Sequence, residues 1–260
     1  MPARSARRAF VLVALLSGLL PAAAAAQGTA RAPVVPPPSP SDFMLGRPKG
    51  FLAVDGGFLF ANAGSDLYDF VTKQLTLDKK AFNAPIVGLR MGASITPRLD
   101  LAVFLEQSNA TATSEYRDFV DNNQLPITQT TGLQEYQVAA NLRWSLVPSG
   151  RRISRFAWIP RTVTPFVGAG AGAIKYKFEQ YGSFVDFQTF KVFNSSFRSE
   201  GWAPSAHAFV GADVRVYRRI YVTAEGRYTW SSAPLGKDFV DFDPITLAGA
   251  RVGGSLKLVF

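Results

Sequence analysis

The stretch "LAGARVGGSLKLVF" (residues 247–260) decides the fold through the alternation of its side chains. Counting back from Phe260, every second position as far as Val252 is apolar or glycine. The positions between them are mostly small or charged, among them Lys257 and Arg251. Successive side chains of a strand point to opposite faces of its sheet. The stretch therefore predicts a strand with one apolar and one polar face, ending on a large apolar residue.

Seven further segments show the same two-faced alternation. They are residues 50–61, 86–96, 98–108, 133–146, 164–178, 205–217 and 220–230. Each is near the roughly 9–11 residues that a tilted strand needs to cross a bilayer. The eight segments predict an all-β fold. A soluble lipocalin-type barrel alternates in the same way with its apolar face turned inward, so alternation alone leaves both kinds of barrel open.

The connections between the predicted strands fall into two classes. The turns at 96–98 and 217–219 are short, whereas four other hairpins carry long stretches. The long stretches are 62–84, 109–131, 179–203 and 231–244. Short turns at one end and long loops at the other are typical of an outer-membrane barrel.

Aromatic residues fall toward the strand ends on the apolar face, as in the two interfacial girdles of a membrane barrel. They are Phe58, Phe60, Trp144, Phe166, Tyr176, Phe178, Tyr228, Trp230 and Phe260. The other face mixes charges of both signs with Gly, Ala and Ser, which suits a narrow wet lumen better than the exterior of a soluble barrel. Together with the connections, this favours the membrane barrel.

The first 48 residues predict export. Residues 1–26 carry three arginines, then an apolar run over 9–20 too short to span a bilayer, then Ala24-x-Ala26, which is the pattern of a secretory signal peptide. Residues 27–48 include "APVVPPPSP" (32–40) and predict an extended Pro-rich periplasmic segment. The barrel then occupies 49–260. The sequence has no Cys, so neither a disulfide nor a lipid-bearing cysteine is expected.

These pieces, in this order, resemble the small eight-stranded outer-membrane barrels of Gram-negative bacteria: the OmpA transmembrane domain, OmpX and the opacity proteins. The matching stretches are the signal peptide, "TPRLDL" (96–101), "TPFVGAGAGAIKYKF" (164–178), "YVTAEGRYTW" (221–230) and "GGSLKLVF" (253–260). The resemblance implies an antiparallel up-and-down barrel with periplasmic termini. It also implies that Phe260 is a signal for the outer-membrane assembly machinery. The peptidoglycan-binding domain of full OmpA proteins has no counterpart in these residues, and 147–163 is long for a periplasmic turn.

Strand parity places charged residues of both signs inside the barrel. The interior of an eight-stranded barrel is just wide enough for its own side chains, and a buried charge is costly unless it is paired. We therefore predict a salt-bridged, plugged lumen, with a narrow passive porin-like channel as the alternative. The predicted lumen charges are Asp55, Arg90, Asp100, Glu106, Glu135, Arg143, Lys175, Asp213, Arg215, Glu225, Arg227 and Arg251, with Lys177 and Lys257 as further candidates.

Each of the four long loops contains Phe-Val with an aspartate beside it. The phenylalanines are Phe70, Phe119, Phe184 and Phe239. They reflect descent of the hairpins from one another, or they predict an apolar clasp between loop stems or an outward-facing patch that contacts a surface partner. The nearby carboxylates of Asp238, Asp241 and Asp243 allow a divalent-cation site as a further hypothesis.

Signals for catalysis are sparse. His207 is the only histidine and lies two residues from Ser205, which would make them base and nucleophile in an enzyme. Outer-membrane lipid A deacylases have such a site on a barrel wall, but their order is His-x-Ser and here it is Ser-x-His. A lipid A-modifying enzyme therefore stands as the second alternative, behind the channel. No cofactor is indicated, and one His without Cys makes a transition-metal site improbable.

The sequence thus predicts a non-enzymatic outer-membrane protein that serves envelope structure and surface interaction. The expected partners are outer-membrane lipid and lipopolysaccharide, the assembly machinery through the C-terminal strand, and a surface ligand held by the loops. Binding to nucleic acid is not expected.

Overall fold

The computed structural model describes residues 43–121 and 123–260. The predicted signal peptide and residues 27–42 of the Pro-rich segment lie outside the described residues. Within the described ranges, no helix is long and apolar enough to cross a membrane.

Eight antiparallel strands form a closed ring. They are β1 (Gly50–Ala61), β2 (Ala84–Ser94), β3 (Leu99–Val120), β4 (Pro126–Ser145), β5 (Val163–Val185), β6 (Val192–Tyr217), β7 (Ile220–Ala233) and β8 (Gly249–Val259). Each strand pairs with the next, and β8 closes the ring on β1 from Gly249–Ala61 to Val259–Phe51. The predicted eight-stranded antiparallel barrel is confirmed. Closure leaves no free edge in the ring, so every strand has two hydrogen-bonded neighbours.

The barrel has two walls of unequal height. Strands β3 to β6 contain 20 to 26 residues and form the tall wall, whereas β1, β2, β7 and β8 contain 11 to 14 and form the short wall. The predicted loops 109–131 and 179–203 are therefore mostly strand, and their connections are only 121–125 and 186–191. These extensions were mistaken for loops because both of their faces are largely polar, so the apolar alternation ends before the hydrogen-bonded ladder does.

The outward face of the lower barrel is apolar. On β4 it runs from Leu146 through Trp144, Leu142 and Val138 to Tyr136, all of them exposed, and the outward residues beyond Tyr136 are polar. Phe58, Phe60, Tyr228, Trp230 and Phe260 also face outward, as predicted. The apolar band and its aromatic borders match the outer surface of a membrane barrel.

The predicted orientation of β5 is wrong. Phe166, Tyr176 and Phe178 are buried inside the barrel, and Lys175 faces outward. The run "GAGAG" (168–172) explains the error, because alternating Gly and Ala give no contrast between the two faces. The alanines face outward and complete the apolar band, whereas the glycines face the lumen.

Two connections from the short wall fold over the open end of the barrel, here called the loop end. The 62–83 connection contains an α-helix, α1 (Asp66–Gln74), and a 3-10 helix (Lys79–Phe82). The 234–248 connection contains a 3-10 helix (Lys237–Phe239) and the short strand Ile245–Thr246, which pairs with the end of β7. In α1, acidic residues lie in the first turn and Lys73 in the last, which favours the helix dipole.

The opposite end, here called the turn end, carries the short connections 95–98 and 218–219. The long 146–162 connection forms a hairpin of Gly150–Arg152 with Ala157–Pro160, and Met44–Leu45 adds a third strand to it. This long connection thus supplies two strands of a small three-stranded sheet that is separate from the barrel sheet, at the turn end.

Candidate functional site

The candidate site is the interior of the barrel, which is filled in two layers. The layer nearer the turn end is ionic. Arg90 binds Glu225 at 2.6 Å and Asp55 at 3.2 Å, and Arg227 binds Glu106 through two hydrogen bonds of 2.8 and 2.9 Å. Arg227 also reaches Glu225 at 2.8 Å, so two guanidinium groups and three carboxylates form one network. Their side chains are no more than 9% exposed.

A second ionic cluster is centred on Asp213. Its carboxylate accepts hydrogen bonds from Arg143, from Lys257 at 2.8 Å and from Thr223 at 2.7 Å. Arg143 also lies 3.7 Å from Asp100. Each charged group here has a partner of opposite sign, which offsets the cost of removing the charges from water.

A third ionic cluster, with a single ion pair, lies where the ionic layer ends. Arg251 donates to Glu135 at 2.9 Å, to Thr229 at 3.2 Å and to the side-chain oxygen of Gln137. Glu135 is opposite Tyr176 in the pairing of β4 with β5, and Tyr176 belongs to the apolar layer above.

Three of the buried cations also pack against aromatic rings. The guanidinium of Arg143 lies 3.7 Å from the ring centre of Phe166, and that of Arg227 lies 4.3 Å from Phe104. The Lys257 ammonium lies 4.4 Å from Phe51. Such contacts stabilise desolvated cations. Sequence parity correctly placed Phe104 inside, but it missed Phe166 because β5 was assigned the opposite orientation.

Ten of the twelve predicted lumen charges take part in these ionic clusters. Lys175 faces outward, for the reason given for β5. Arg215 is half-buried on the inward side of β6 near the turn end. Lys257, predicted as a further candidate, is buried against Asp213.

The free space left in the ionic layer is small. A cavity of about 30 Å³ is bordered by Asp55, Arg90, Glu106, Glu225 and Arg227. A water molecule needs about 10–15 Å³ measured in this way, so the cavity has room for about two.

His207 and Ser205 are both buried in the lumen, but they are not arranged as a catalytic pair. The Nε2 atom of His207 hydrogen-bonds the side-chain oxygen of Asn141 at 2.5 Å, and its ring packs against Phe104 and Phe209. Ser205 accepts a hydrogen bond from Gln137 at 3.4 Å.

Glycines of β5 make room for this histidine. A Cβ at Gly170 would lie 2.4 Å from the Asn141 oxygen and 2.5 Å from His207 Nε2, and a Cβ at Gly168 would lie 2.3 Å from the ring of Phe209. The "GAGAG" run thus permits close approach of the side chains from the neighbouring strands.

The layer nearer the loop end is apolar, and we call it the cap. It is built from α1, the 234–248 connection and the inner face of the tall wall. Its buried members are Ala63, Leu67, Tyr68, Val71, Leu75, Leu77, Phe82, Leu133, Ile174, Tyr176, Phe178, Ala203, Ala233, Phe239, Ile245 and Leu247. Two of these, Ile245 and Leu247, belong to the 234–248 connection. They come before β8 begins at Gly249, and both point inward.

A few hydrogen bonds join the cap to the wall. Tyr68 donates to the Thr246 carbonyl at 3.1 Å and thereby links the two connections, and burial raises the pKa of its phenol. Tyr176 donates to the Pro234 carbonyl at 2.7 Å and lies 3.0 Å from the Ser199 hydroxyl, which accepts from Gly236 N–H at 2.8 Å. The 234–248 connection is thus held against the tall wall.

The four loop phenylalanines do not form one exposed patch. Phe184 and Phe239 are buried, whereas Phe119 is half-buried and Phe70 is 43% exposed. A purely outward-facing patch of these four residues is therefore wrong, because two of the four rings are buried at the loop end. Phe70, Phe184 and Phe239 instead border one pocket, and Phe119 packs on Phe187, which borders it too.

The divalent-cation hypothesis for Asp238, Asp241 and Asp243 finds no support. Across the described residues, no group of three or more His, Cys, Asp and Glu side chains is placed to hold a metal ion. Asp238 instead accepts a hydrogen bond from Arg198 N–H at 3.0 Å.

Phe260, the predicted assembly signal, is 62% exposed at the turn end. Its carbonyl accepts hydrogen bonds from Lys49 N–H at 2.8 Å and Gly50 N–H at 3.0 Å, which ties it to the start of β1. The ring is thus presented outward, and the assembly role stays a prediction.

The cap is the feature that sequence reasoning missed. The available signal was the helical spacing of Leu67, Val71 and Leu75 within a segment read as an irregular loop. Tyr176 and Phe178 gave no signal, because apolar residues on a barrel strand are expected to face lipid.

No protein-family model matches the chain, and no curated protein matches it in sequence. Among solved structures, neisserial surface protein A is similar with a TM-score of 0.45 and 12% identity, over 85% of this chain and 98% of that one. The N-terminal β-barrel domain of Pseudomonas aeruginosa OprF gives 0.35 and 11%, over 82% and 98%. Ail of Yersinia pestis, in complex with the heparin analogue sucrose octasulfate, gives 0.37 and 14%, over 81% and 99%. At identities of 11–14% and TM-scores below 0.5, these likenesses say nothing about the role of this chain.

Proposed function

We propose that this chain is a non-enzymatic protein of the bacterial outer membrane, with a lumen closed to ions and solutes, which serves envelope structure and surface interaction. In this proposal the turn end is periplasmic and the loop end is extracellular. Support for the membrane location comes from the apolar outer band with its aromatic borders, combined with a charged interior. A soluble barrel would have the reverse distribution.

The single observation that carries the closed lumen is its two-layer filling. In the ionic layer each guanidinium or ammonium group pairs with at least one carboxylate from another strand, so an ion passing through would have to break several pairs at once. Above that layer, the buried rings and aliphatic side chains of the cap leave an ion without polar groups to replace its hydration shell. A selective pore would instead be lined by charges of one sign.

Reconstitution into planar bilayers tests this proposal. The wild-type protein is expected to give no stable conductance steps. The control has to open both layers: Arg227→Ser/Arg251→Ser in the ionic layer, combined with Leu67→Ala/Phe239→Ala in the cap, is expected to leak intermittently, which shows that the assay detects an opened lumen. Steady ohmic conductance of the wild-type protein would favour the channel alternative.

The outer wall also supports lipopolysaccharide as a partner. Lys175, Lys177 and Arg198 lie beside Tyr136 around an open depression of about 430 Å³, just above the apolar band, where Lys177 also pairs with Glu179 and Arg198 with Glu200. Cations at that level would face lipid phosphates. The double variant Lys175→Ala/Lys177→Ala is expected to retain less lipopolysaccharide on purification, and unchanged retention would remove this support.

The lipid A-modifying alternative has less support. Ser205 and His207 lie in the lumen, away from acyl chains, and each is hydrogen-bonded to a residue of β4. Incubation with lipopolysaccharide is expected to release no acyl chains.

A further inference from the structure

A pocket lined with aromatic side chains lies at the loop end, beside the cap. It measures about 230 Å³ and lies between α1, the tips of the tall wall and the 234–248 connection. Its walls include Phe70, Phe184, Phe187, Phe193 and Phe239. We call it the aromatic pocket.

The rim and the interior of the aromatic pocket differ in exposure. Phe70, Phe187 and Phe193 are 42–47% exposed, whereas Val71, Leu75, Phe184 and Phe239 are buried. The pocket is therefore open to solution and apolar inside. A cavity of about 150 Å³ lined by apolar side chains binds benzene, so 230 Å³ is large enough for a substituted or bicyclic aromatic ring.

One polar group in the pocket has no partner. Gln129 borders the pocket with 4% of its surface exposed, and its side-chain oxygen accepts no hydrogen bond. The neighbouring Gln180 differs, because its side-chain nitrogen donates to Thr131 at 3.2 Å. A buried acceptor without a partner costs free energy, and a donor supplied by a ligand would recover it.

The pocket also favours a neutral ligand. Asp238 is the one charged residue among those that line it, and its carboxylate already accepts a hydrogen bond from Arg198 N–H at 3.0 Å. Asp238 is exposed at the rim, so the buried interior of the pocket offers a charged partner to neither a cation nor an anion.

We propose that the aromatic pocket binds a neutral planar aromatic compound with one hydrogen-bond donor, of the phenol or indole class. The ring stacks among the phenylalanines, and the side-chain amide of Gln129, whose oxygen is buried in the pocket wall, turns to accept a hydrogen bond from the donor. This inference goes beyond the proposed function, since it requires neither a closed lumen nor a macromolecular partner.

Two ligands of the same shape test the proposal: indole, which has an N–H donor, and indene, which lacks it. Binding is measured by calorimetry on the full chain in phospholipid nanodiscs, so that detergent does not compete for the pocket. One hydrogen bond is worth about 0.5–1.5 kcal/mol net, so wild-type protein is expected to bind indole about two- to tenfold more tightly than indene.

Four variants sharpen the test. Gln129→Leu is expected to abolish the preference for indole while indene still binds. Phe187→Ala and Phe193→Ala are expected to weaken both ligands. Phe190→Ala removes an exposed ring from the same tip that does not line the pocket, and it is expected to change neither ligand.

Equal affinity for indole and indene in the wild-type protein would overturn the proposal without recourse to any variant. No saturable binding of either ligand would overturn it as well, and so would an unchanged preference in correctly folded Gln129→Leu. Conductance tests the closed lumen separately, so the two proposals fail independently.

Discussion

The two layers of the barrel interior solve the same packing problem with opposite chemistry. In the ionic layer, strands supply nearly all the partners, and arginines pair with carboxylates across the lumen. In the cap, two connections enter the barrel and bring aliphatic and aromatic side chains with them. The boundary falls where Glu135 binds Arg251 and lies opposite Tyr176 in the pairing of β4 with β5.

The difference follows from what each level of the barrel can reach. Strand residues that face the lumen inside the apolar band have only other strands opposite them, and long charged side chains can meet across that distance. At the loop end, α1 and the 234–248 connection provide backbone as well as side chains, so an ordinary hydrophobic core can form. The ionic layer should therefore respond to the loss of one charge, and the cap to the loss of volume.

The largest effect is expected from breaking the ionic layer. Arg227→Met leaves Glu106 buried without its guanidinium partner and is expected to lower the free energy of unfolding by about 3–5 kcal/mol. Urea unfolding in lipid vesicles, followed by tryptophan fluorescence, measures it. The matched control is Arg198→Met, which removes an ion pair whose side chains are about half exposed and should cost at most about 1 kcal/mol. Equal losses in both variants would contradict the buried network.

The next effect concerns volume in the cap. Leu67→Ala creates a cavity beside Tyr68 and Phe178 and is expected to cost about 2–5 kcal/mol, confined to opening of the cap. Hydrogen exchange of the α1 amides should accelerate about thirtyfold or more, while the strands of the apolar band keep their protection. Lys73→Ala changes an exposed residue in the last turn of the same helix and should accelerate exchange by no more than a few-fold, through the loss of its favourable interaction with the helix dipole. Faster exchange throughout the barrel would show that the two layers unfold together.

A smaller effect is expected at the attachment of the 234–248 connection. Tyr176→Phe removes the hydroxyl that donates to the Pro234 carbonyl, at a cost of about 1–3 kcal/mol. Limited proteolysis should then cut this connection faster than in the wild-type protein. Tyr181→Phe, on the outward face of the same strand, is the control, and an equal increase in cleavage there would argue against the hydrogen bond.

The smallest effect distinguishes the two faces of β5. Lys175→Ala is expected to change stability by no more than about 0.5 kcal/mol, because the side chain is outside the barrel. Lys257→Ala, which leaves Asp213 short of one partner in the lumen, should cost several times more in the same urea assay. A large loss for Lys175→Ala would restore the predicted inward orientation.

The ionic layer could be predicted from the sequence to a large extent, and the cap could not. Alternation places Arg90, Glu106 and Arg227 inside without any knowledge of tertiary structure, since the period of a strand fixes which face each residue takes. Their pairing follows from the cost of an isolated buried charge. On β5 the same reasoning failed, because Gly and Ala carry no contrast between faces.

The cap depends on information that strand parity does not contain. Whether Phe178 meets lipid or another side chain is decided by the height of the wall and by the fold of a distant connection. The height of β3 to β6 was itself hidden, since extensions with two polar faces read as loops. The four Phe-Val repeats identified phenylalanines that lie at the loop end. Strand parity could not show that two of them, Phe184 and Phe239, are buried there.

The cap also has a consequence for biogenesis. Its two halves come from the first and last hairpins of the barrel, which become neighbours only through the pairing of β8 with β1. Two hydrogen bonds can therefore form only after β8 has paired with β1: the one from Tyr68 to Thr246 and the one from Asp243 N–H to Asp66. Burial of Tyr68 would then show that, in a newly inserted barrel, β8 has paired with β1.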